Sequence, residues 1–179
     1  MFTPKSDPEP SALYDLYVVY APEDESWATD FLIPALAAVG VRIVSEISFA
    51  LGAPQVTEIE RVIQQSRYTL LIISPAFSAD LLNEYAELLA MFNSVRARRW
   101  NVIPLLLADV RLPQRLAQLV PLKAVDSATH PAVIERLCNQ LGYAAPAAAE
   151  HQQRHRELPP PPRHFFGRDE ILTKLVTQL

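Results

Sequence analysis

Carboxylates are the side chains in this sequence that are best placed to do chemistry, because the usual nucleophiles lack partners. Ser74 and the single cysteine, Cys138, have no histidine and acid that the sequence predicts beside them. A hydroxyl or thiol needs such a base to become a strong nucleophile. The chain has 20 Asp and Glu side chains, and two of them, Glu84 and Glu87, lie close together on a segment whose apolar residues recur at helical spacing.

An alternation of strand and helix patterns must position those carboxylates. Short apolar runs predict five strands, at residues 14–20, 41–44, 68–73, 101–107 and 122–125. Helical spacing predicts helices between and after them, around residues 24–39, 56–63, 78–96, 112–119 and 131–141. Such alternation implies right-handed crossovers. The predicted fold is therefore α/β, a flavodoxin-like three-layer α/β/α sandwich with a five-stranded parallel sheet.

Two of these helices carry detailed expectations. In the first, Asp24 or Ser26 can cap the amino end, Pro34 should kink or shorten the helix, and Gly40 should end it. In the third, the predicted buried face consists of large residues: Leu81, Leu82, Tyr85, Leu88, Leu89 and Phe92. If that face is correct, the two glutamates of this helix can simply be solvated surface charges without a function.

Ligands bind beyond the carboxyl ends of the strands in an open parallel sheet. That rule places the loops after Tyr20, Val44 and Ile73 at the functional edge. The first of these loops begins Ala21-Pro22-Glu23-Asp24, which is acidic and lacks glycine, so it would repel a phosphate. An ordinary flavodoxin-like nucleotide binder is therefore disfavoured.

Composition narrows the classes of partner and compartment. The net charge is −4 over 179 residues, which argues against a nucleic-acid partner. No apolar stretch approaches the ~20 residues of a membrane helix, and the amino terminus does not resemble a secretory signal. We therefore predict a soluble, cytoplasmic protein without a membrane partner. His151 and His155 are spaced i, i+4 but lack a third ligand, so we predict no metal site.

Composition also divides the chain into four parts. Residues 1–12 have the composition of a disordered tail, and residues 13–142 contain the α/β pattern. Residues 143–163 form an Ala/Pro-rich linker that includes a run of four prolines. Residues 164–179 are too few to bury a second core, so they would be the stub of another domain.

The motifs of residues 13–142 resemble those of TIR (Toll/interleukin-1 receptor) domains of bacterial type. Residues 14–20 resemble the first TIR box, with Val19 in the place of a serine. Ser74-Pro75-Ala76-Phe77 resembles the segment that follows the third strand. Further segments that resemble the family are 23–27, 40–44, 52–67 and 99–113. The resemblance implies a signal-transduction module that self-associates with other TIR domains.

The carboxyl-terminal stub resembles a different family. Phe165 to Glu170, followed by Leu172 and Leu175, is similar to the entry of a STAND NTPase domain of the NB-ARC or NACHT-like kind. No G-x-x-x-x-G-K-[ST] phosphate loop occurs in the chain. The resemblance implies that a following NTPase domain is a partner in a longer regulator. The alternative is an incidental amphipathic tail.

The TIR resemblance implies a candidate reaction, the cleavage of the bond between nicotinamide and ribose in NAD. NAD would be the substrate of this NAD+ nucleosidase, no cofactor is needed, and a carboxylate would stabilise oxocarbenium-like charge. Without a gap, Leu82 takes the family's tryptophan position and Ala86 takes that of its catalytic glutamate. A one-residue shift would make Glu87 the catalytic residue, and Glu84 is a second candidate.

The resemblance also implies roles for the loop at residues 45–54, the BB loop of the family, which gates the substrate pocket and makes TIR–TIR contacts. Candidate substrate-binding residues are Tyr20, Glu46, Phe49, Gly52 and Leu82, and candidate interface residues are Phe49, Leu51 and Gly52. Phe49 and Leu51 can instead fold back on the core, and Tyr20 can be a core aromatic.

Two functions follow, and the sequence leaves both open. The first is a defence-type effector that hydrolyses NAD to nicotinamide and ADP-ribose-type products when it oligomerises. The second is a TIR scaffold that assembles with other TIR domains and does no chemistry, so enzymatic activity stays undecided. The feature that separates them is whether Glu87 or Glu84 points into the cleft below the BB loop.

Overall fold

The computed structural model describes residues 12–96 and 100–145, apart from the side chains of Ser78 and Leu81. The predicted amino-terminal tail, most of the linker and the predicted NTPase stub therefore lie outside the described residues. No helix within the described ranges is long and apolar enough to cross a membrane.

Five strands form one parallel sheet. They are β1 (Tyr14–Val19), β2 (Ile43–Val44), β3 (Ser66–Ile73), β4 (Val102–Leu106) and β5 (Leu122–Lys123). Their order is β2-β1-β3-β4-β5, and all neighbouring pairs are parallel. The central position of β3 agrees with its almost entirely apolar sequence, because a strand covered on both faces needs no polar side. The predicted fold class is confirmed.

Helices cover both faces of the sheet and create two apolar layers. They are α1 (Ile33–Ala37), α2 (Gln55–Gln65), α3 (Leu81–Arg96) and α4 (His130–Leu141). Successive strand residues point to opposite faces. Leu16 and Val18 therefore pack with residues of α1 and α4, whereas Tyr17 and Val19 pack with residues of α2 and α3.

The first helix departs from regular α geometry because of Pro34. A π-helical turn, Trp27–Leu32, precedes α1, and the Ile33 N–H donates to the carbonyl of Ala28. Proline lacks an N–H and its ring clashes with the carbonyl four residues earlier. Widening the preceding turn relieves that clash. The helix continues through Pro34 to Ala37, so Pro34 changes its geometry without ending it, and the predicted shortening at this residue is wrong.

The predicted caps of this helix are wrong. The helical turns begin earlier, at Pro22, and the Ser26 side chain makes no capping hydrogen bond. The carboxylate of Asp24 instead accepts a hydrogen bond from the Ser74 hydroxyl at 2.5 Å. This bond connects the loop after β1 to the end of β3. The residues around Asp24 in the sequence do not reveal Ser74 as its partner. Gly40 does end the helix region, at φ +90°.

Helix α3 buries a different face from the predicted one. Its buried residues are Asn83, Ala86, Glu87, Ala90 and Ser94. Leu88 is 44% exposed and Phe92 is 64% exposed, so their predicted burial is wrong. Three of the other predicted residues, Leu82, Tyr85 and Leu89, are partly buried beside the core. The small alanines let the helix approach the sheet and α2 closely, which moves the larger side chains outwards.

Asp15 connects three elements at the amino end of the sheet. Its carboxylate is buried and accepts hydrogen bonds from Arg42 Nε at 2.9 Å, Arg67 Nη1 at 3.1 Å and the Tyr143 hydroxyl at 2.8 Å. Burial by itself would raise the pKa of Asp15, but these hydrogen bonds outweigh it and hold that pKa well below its usual range. The site therefore fastens the start of β1 to the segments around it.

Candidate functional site

The BB loop, residues 45–54, is anchored at its first residue and near its middle. It begins with a buried Ser45 and a short 3-10 turn, Glu46–Ser48. Near its middle, the Ala50 N–H donates to Glu58 Oε2 of α2 at 3.1 Å. Gly52 has φ +80°, which other residues rarely adopt, and this allows the tight turn into α2.

The apolar side chains of this loop divide between the core and the surface. Phe49 is half-buried, and its ring centroid lies 6.5 Å from that of Tyr17. Leu51 is fully exposed, and Ile47 is 66% exposed. Of the two alternatives for each residue, Phe49 folds back on the core, whereas Leu51 projects from the loop tip.

A small cleft lies between the BB loop and the loops that follow β1 and β3. We call it the loop cleft. It has a volume of about 200 Å³ and is lined by Tyr20, Pro22, Glu25, Glu46, Ile47, Gln55, Asp80 and Leu82. Three of the predicted substrate-binding residues, Tyr20, Glu46 and Leu82, therefore meet in one place. Phe49 and Gly52 are not part of its lining.

The loop cleft is acidic. Burial raises the pKa of Glu46, and the neighbouring Asp80 raises it further. Burial also raises the pKa of Tyr20, an effect that Ser45 opposes and that Glu25 and Glu46 reinforce. Although Ser45 is close, the buried Tyr20 hydroxyl makes no hydrogen bond of normal geometry with the described residues. The arrangement can stabilise a positive charge, and it opposes the entry of a phosphate.

Glu84 and Glu87 line a second cleft, which we call the arginine cleft. It has a volume of about 250 Å³, and its lining consists of Phe77, Glu84, Glu87, Arg111, Pro113 and Arg115. Arg115 Nε donates to Glu87 Oε1 at 3.0 Å, and Arg115 Nη2 donates to Glu84 Oε1 at 3.0 Å. The candidate catalytic carboxylates are therefore separated from Tyr20, Glu46 and Leu82.

Comparison with known proteins agrees with this fold. The family model described as "TIR domain" matches residues 16–138. The chain belongs to the TIR domain family. It is similar to the TIR domain of the Toll-related receptor TRR-2 from Hydra magnipapillata, with 22% identity over 72% of this chain and 98% of that chain and a TM-score of 0.62.

A second solved structure, a metazoan TIR-STING receptor from C. gigas, is 19% identical to this chain. The match covers 72% of this chain and 42% of that chain, with a TM-score of 0.56. No curated protein matches the sequence. These likenesses show a shared fold, and the family membership makes this chain a TIR signalling module.

Within this TIR domain, Ala86, the residue that the resemblance without a gap sets at the family's glutamate position, is part of the core. Ala86 is 1% exposed and packs with the apolar layer between the sheet, α2 and α3. Glu87 is 2% exposed, so its interpretation as a solvated surface charge is wrong. The side chain of Glu84 is 51% exposed and fits that interpretation better.

Sequence reasoning missed Asp80 and Glu25 in the loop cleft and Arg115 in the arginine cleft. Asp80 has a local signal, because an aspartate just before a helix is a common cap. Its Oδ1 accepts hydrogen bonds from the N–H groups of Leu82 at 2.7 Å and Asn83 at 3.4 Å. Arg115 has no such signal, since it lies 28 residues from the glutamate that it contacts.

Proposed function

We propose that this TIR domain transmits a signal by assembling with other TIR domains through its BB loop, without cleaving NAD. The observation that carries the proposal is the full exposure of Leu51 at the loop tip. The loop before Leu51 is held by the buried Ser45 and by the Ala50–Glu58 hydrogen bond. An apolar side chain that a fixed loop presents to solvent is typical of an interaction site.

A surface suited to accept the loop tip lies on another part of the same domain. It is a groove of about 280 Å³ beside β5, lined mainly by Trp100, Val102, Ile103, Leu119, Val120, Leu122 and Leu137. Trp100 is 60% exposed and Val120 is 81% exposed. A projection on one face and a groove on another favour head-to-tail contacts, which extend beyond two copies into rings or open chains.

The placement of the glutamates supports assembly over NAD cleavage. Glu87 and Glu84 are occupied by Arg115 and do not line the loop cleft. The loop cleft is also smaller than the ~300–1,000 Å³ of ordinary ligand pockets. Its acidic lining has no basic residue in the described part of the chain, although a dinucleotide carries a pyrophosphate.

NAD hydrolysis is the second candidate, and the composition of the loop cleft favours it. Glu46, whose pKa is raised, lies there with Asp80 and beside the aromatic ring of Tyr20. A carboxylate and an aromatic face suit a ribosyl cation and a nicotinamide ring. In this proposal the catalytic carboxylate belongs to the loop cleft, and Glu87 takes no part.

Two features of the wider protein belong to the same proposal. A following NTPase domain, at the segment from residue 164 that resembles a bacterial STAND regulator, would bring TIR domains together in the cytoplasm. High local concentration would then drive a contact that is weak between free copies. The signal would serve a defence response of the innate-immunity type.

The test compares Leu51→Glu with Leu13→Glu in the full chain. Leu13 is a matched control, since it is also an exposed leucine, at 54%, and lies beside the amino end of β1. Sedimentation velocity over a concentration series should show association of the wild type and of Leu13→Glu and loss of association in Leu51→Glu. Equal association of all three proteins would remove the loop from the proposal.

The same proteins separate the two functions when they are crowded on beads and given NAD, with a known active TIR domain alongside. The assembly proposal expects no NAD consumption. Consumption that is lost in Glu46→Gln or Asp80→Asn and kept in Glu87→Gln would establish the second candidate. If NAD consumption is lost in Glu87→Gln alone, both the assembly proposal and the proposal of a catalytic loop cleft are refuted.

A further inference from the structure

Helix α3 carries an apolar stripe that the domain itself does not cover. Leu88, Phe92 and Val95 are 44%, 64% and 68% exposed. Their i, i+4, i+7 spacing places them on one face of the helix. Single exposed apolar residues are normal, but three large neighbours in a row are typical of an interaction surface.

The stripe is a consequence of how α3 packs. The helix turns Ala86 and Ala90 towards the core, together with the polar side chains of Asn83 and Glu87. The larger side chains Leu88 and Phe92 are therefore left on the outer side. Burying them instead would require a rotation of the helix that exposes the alanines, so the packing of this domain leaves the stripe open.

Opposite charges lie at the two ends of the stripe. Glu84 is one turn before Leu88, and Arg96 is one turn after Phe92. Both charged residues are exposed. The sequence of this outer row, read at intervals of four residues, is therefore acid, leucine, phenylalanine, base.

This row is complementary to itself. When a second copy of α3 lies antiparallel and the two-fold axis crosses the stripe between Leu88 and Phe92, at the level of Ala90, Leu88 faces Phe92 of the other copy and Glu84 faces its Arg96. Glu84 and Arg96 are each six residues from Ala90, which is about 9 Å along the helix axis. Two rows of i, i+4 spacing pack at a crossing of about −50° with a helix separation of about 8–10 Å, which aligns the rows so that the long side chains at their ends can meet.

We propose that α3 is a two-fold self-association surface of this TIR domain, formed by Leu88, Phe92 and Val95 and oriented by Glu84 and Arg96. Arg115 already contacts Oε1 of Glu84 at 3.0 Å, but a carboxylate accepts several donors and can hold both arginines. The charges select the antiparallel orientation, because a parallel arrangement would bring like charges together.

The area of the stripe indicates a weak contact. With roughly 150–250 Å² for a large side chain, the exposed fractions correspond to about 300 Å² of apolar surface on each copy. Stable interfaces bury about 1,200–2,000 Å² in total. The α3 contact therefore forms when copies are concentrated or already held together by a second contact.

The inference rests on the proposed function only in that both concern contacts between TIR domains, and it uses a different surface. A head-to-tail loop contact extends a chain of domains, whereas a two-fold contact closes at two copies. Together they would join two chains side by side. Loss of the loop contact should leave α3 pairs, and loss of the α3 contact should leave single chains of domains.

Charge exchange between two variants tests the pairing directly. Glu84→Arg and Arg96→Glu should each self-associate about tenfold more weakly than the wild type, because both ends of the pair then carry like charges. An equimolar mixture of the two variants should recover association, since each end again joins an acid to a base. Sedimentation velocity in a Leu51→Glu background isolates the α3 contact from the loop contact.

Phe92→Glu is a second variant that tests the apolar stripe, with Leu13→Glu as its exposed control. It should abolish pairing in the Leu51→Glu background and leave the melting temperature close to that of the wild type. A mixture of the charge variants that associates no better than either alone would overturn the inference, as would undiminished pairing of Phe92→Glu. If the α3 variants lower association while Leu51→Glu has no effect, the loop proposal fails and the α3 inference stands.

Discussion

Replacing Asp15 should destabilise this domain more than any other single change of a carboxylate that we can derive from the structure. Asp15 is 1% exposed. It accepts hydrogen bonds from the backbone N–H of Arg42 at 3.0 Å and from the Arg42 guanidinium at 2.9 and 3.0 Å. Arg67 and Tyr143 add bonds at 3.1 and 2.8 Å. Asp15→Ala leaves all of these donors without their acceptor.

The expected loss of stability follows from the exposure of the partners. Breaking a fully buried ion pair costs about 3–5 kcal/mol. The Arg42 side chain is 54% exposed and the Arg67 side chain is 35% exposed, so water can solvate both cations and reduces that figure. We expect Asp15→Ala to lower the free energy of unfolding by about 3 kcal/mol. For a domain of this size that corresponds to a fall in melting temperature of roughly 10 °C.

The same carboxylate predicts a dependence of stability on pH. Because the folded-state pKa of Asp15 lies below that of the unfolded chain, its contribution is present above about pH 4, the ordinary aspartate value. The contribution is lost as the pH falls below that value towards the folded-state pKa. Asp15→Asn should therefore be less stable than the wild type at pH 7, and the difference between them should narrow as the solution becomes acidic.

Urea unfolding at pH 7 and at several values down to pH 3 measures both effects. Asp109→Asn is the matched control, since Asp109 is an exposed aspartate and should leave stability nearly unchanged. A loss below about 1 kcal/mol in Asp15→Ala would refute the view that this network fastens the amino end of the sheet. A difference between Asp15→Asn and the wild type that stays constant from pH 7 to pH 3 would refute the argument from its lowered pKa.

Two further changes test the arginine cleft and the end of α4. Arg115→Ala leaves the buried Glu87 without its partner and should cost about 2 kcal/mol in urea unfolding, and adding Glu87→Gln should recover part of that loss. Full additivity of the two changes would show that the pair is not coupled. Gly142→Ala should cost about 1 kcal/mol, because φ is +86° although no atom lies within 4 Å of an added Cβ. Gly142→Asn should cost less, since asparagine tolerates this conformation, and equal losses in the two variants would contradict that reason.

Local patterns were sufficient for the architecture. Each of the five predicted strands exists, because short runs rich in β-branched and aromatic residues and bounded by turn residues favour extended structure. Gly142 directly follows the predicted last helix and ends α4, since a residue at positive φ is needed there and glycine adopts it without strain. The helix at residue 34 is disturbed as predicted, because the missing N–H of proline acts within its own turn.

Contacts between distant segments were not predictable in this way. Asp24 could have capped its own helix, but its carboxylate instead accepts a hydrogen bond from the hydroxyl of Ser74, 50 residues away in the sequence. Glu87 was the strongest candidate for catalysis, and its partner Arg115 comes from the segment after β4. The residues that flank Asp24 and Glu87 in the sequence would be the same with any other partner. Only the packing of the sheet decides which partner each carboxylate contacts.

The amino-acid sequence by itself determined the order of elements, the parallel sheet and the TIR family, because these depend on local periodicity and on motifs in a fixed order. Tertiary structure decided which face of α3 is buried. The large residues of that helix suggested one face, whereas close packing against the sheet selected the small alanines Ala86 and Ala90. Successive residues of a helix are about 100° apart around its axis. The orientation of α3 about that axis therefore decides that Glu87 lies beside Arg115 and that Phe92 stays on the surface. Only the packing of the whole domain sets this orientation.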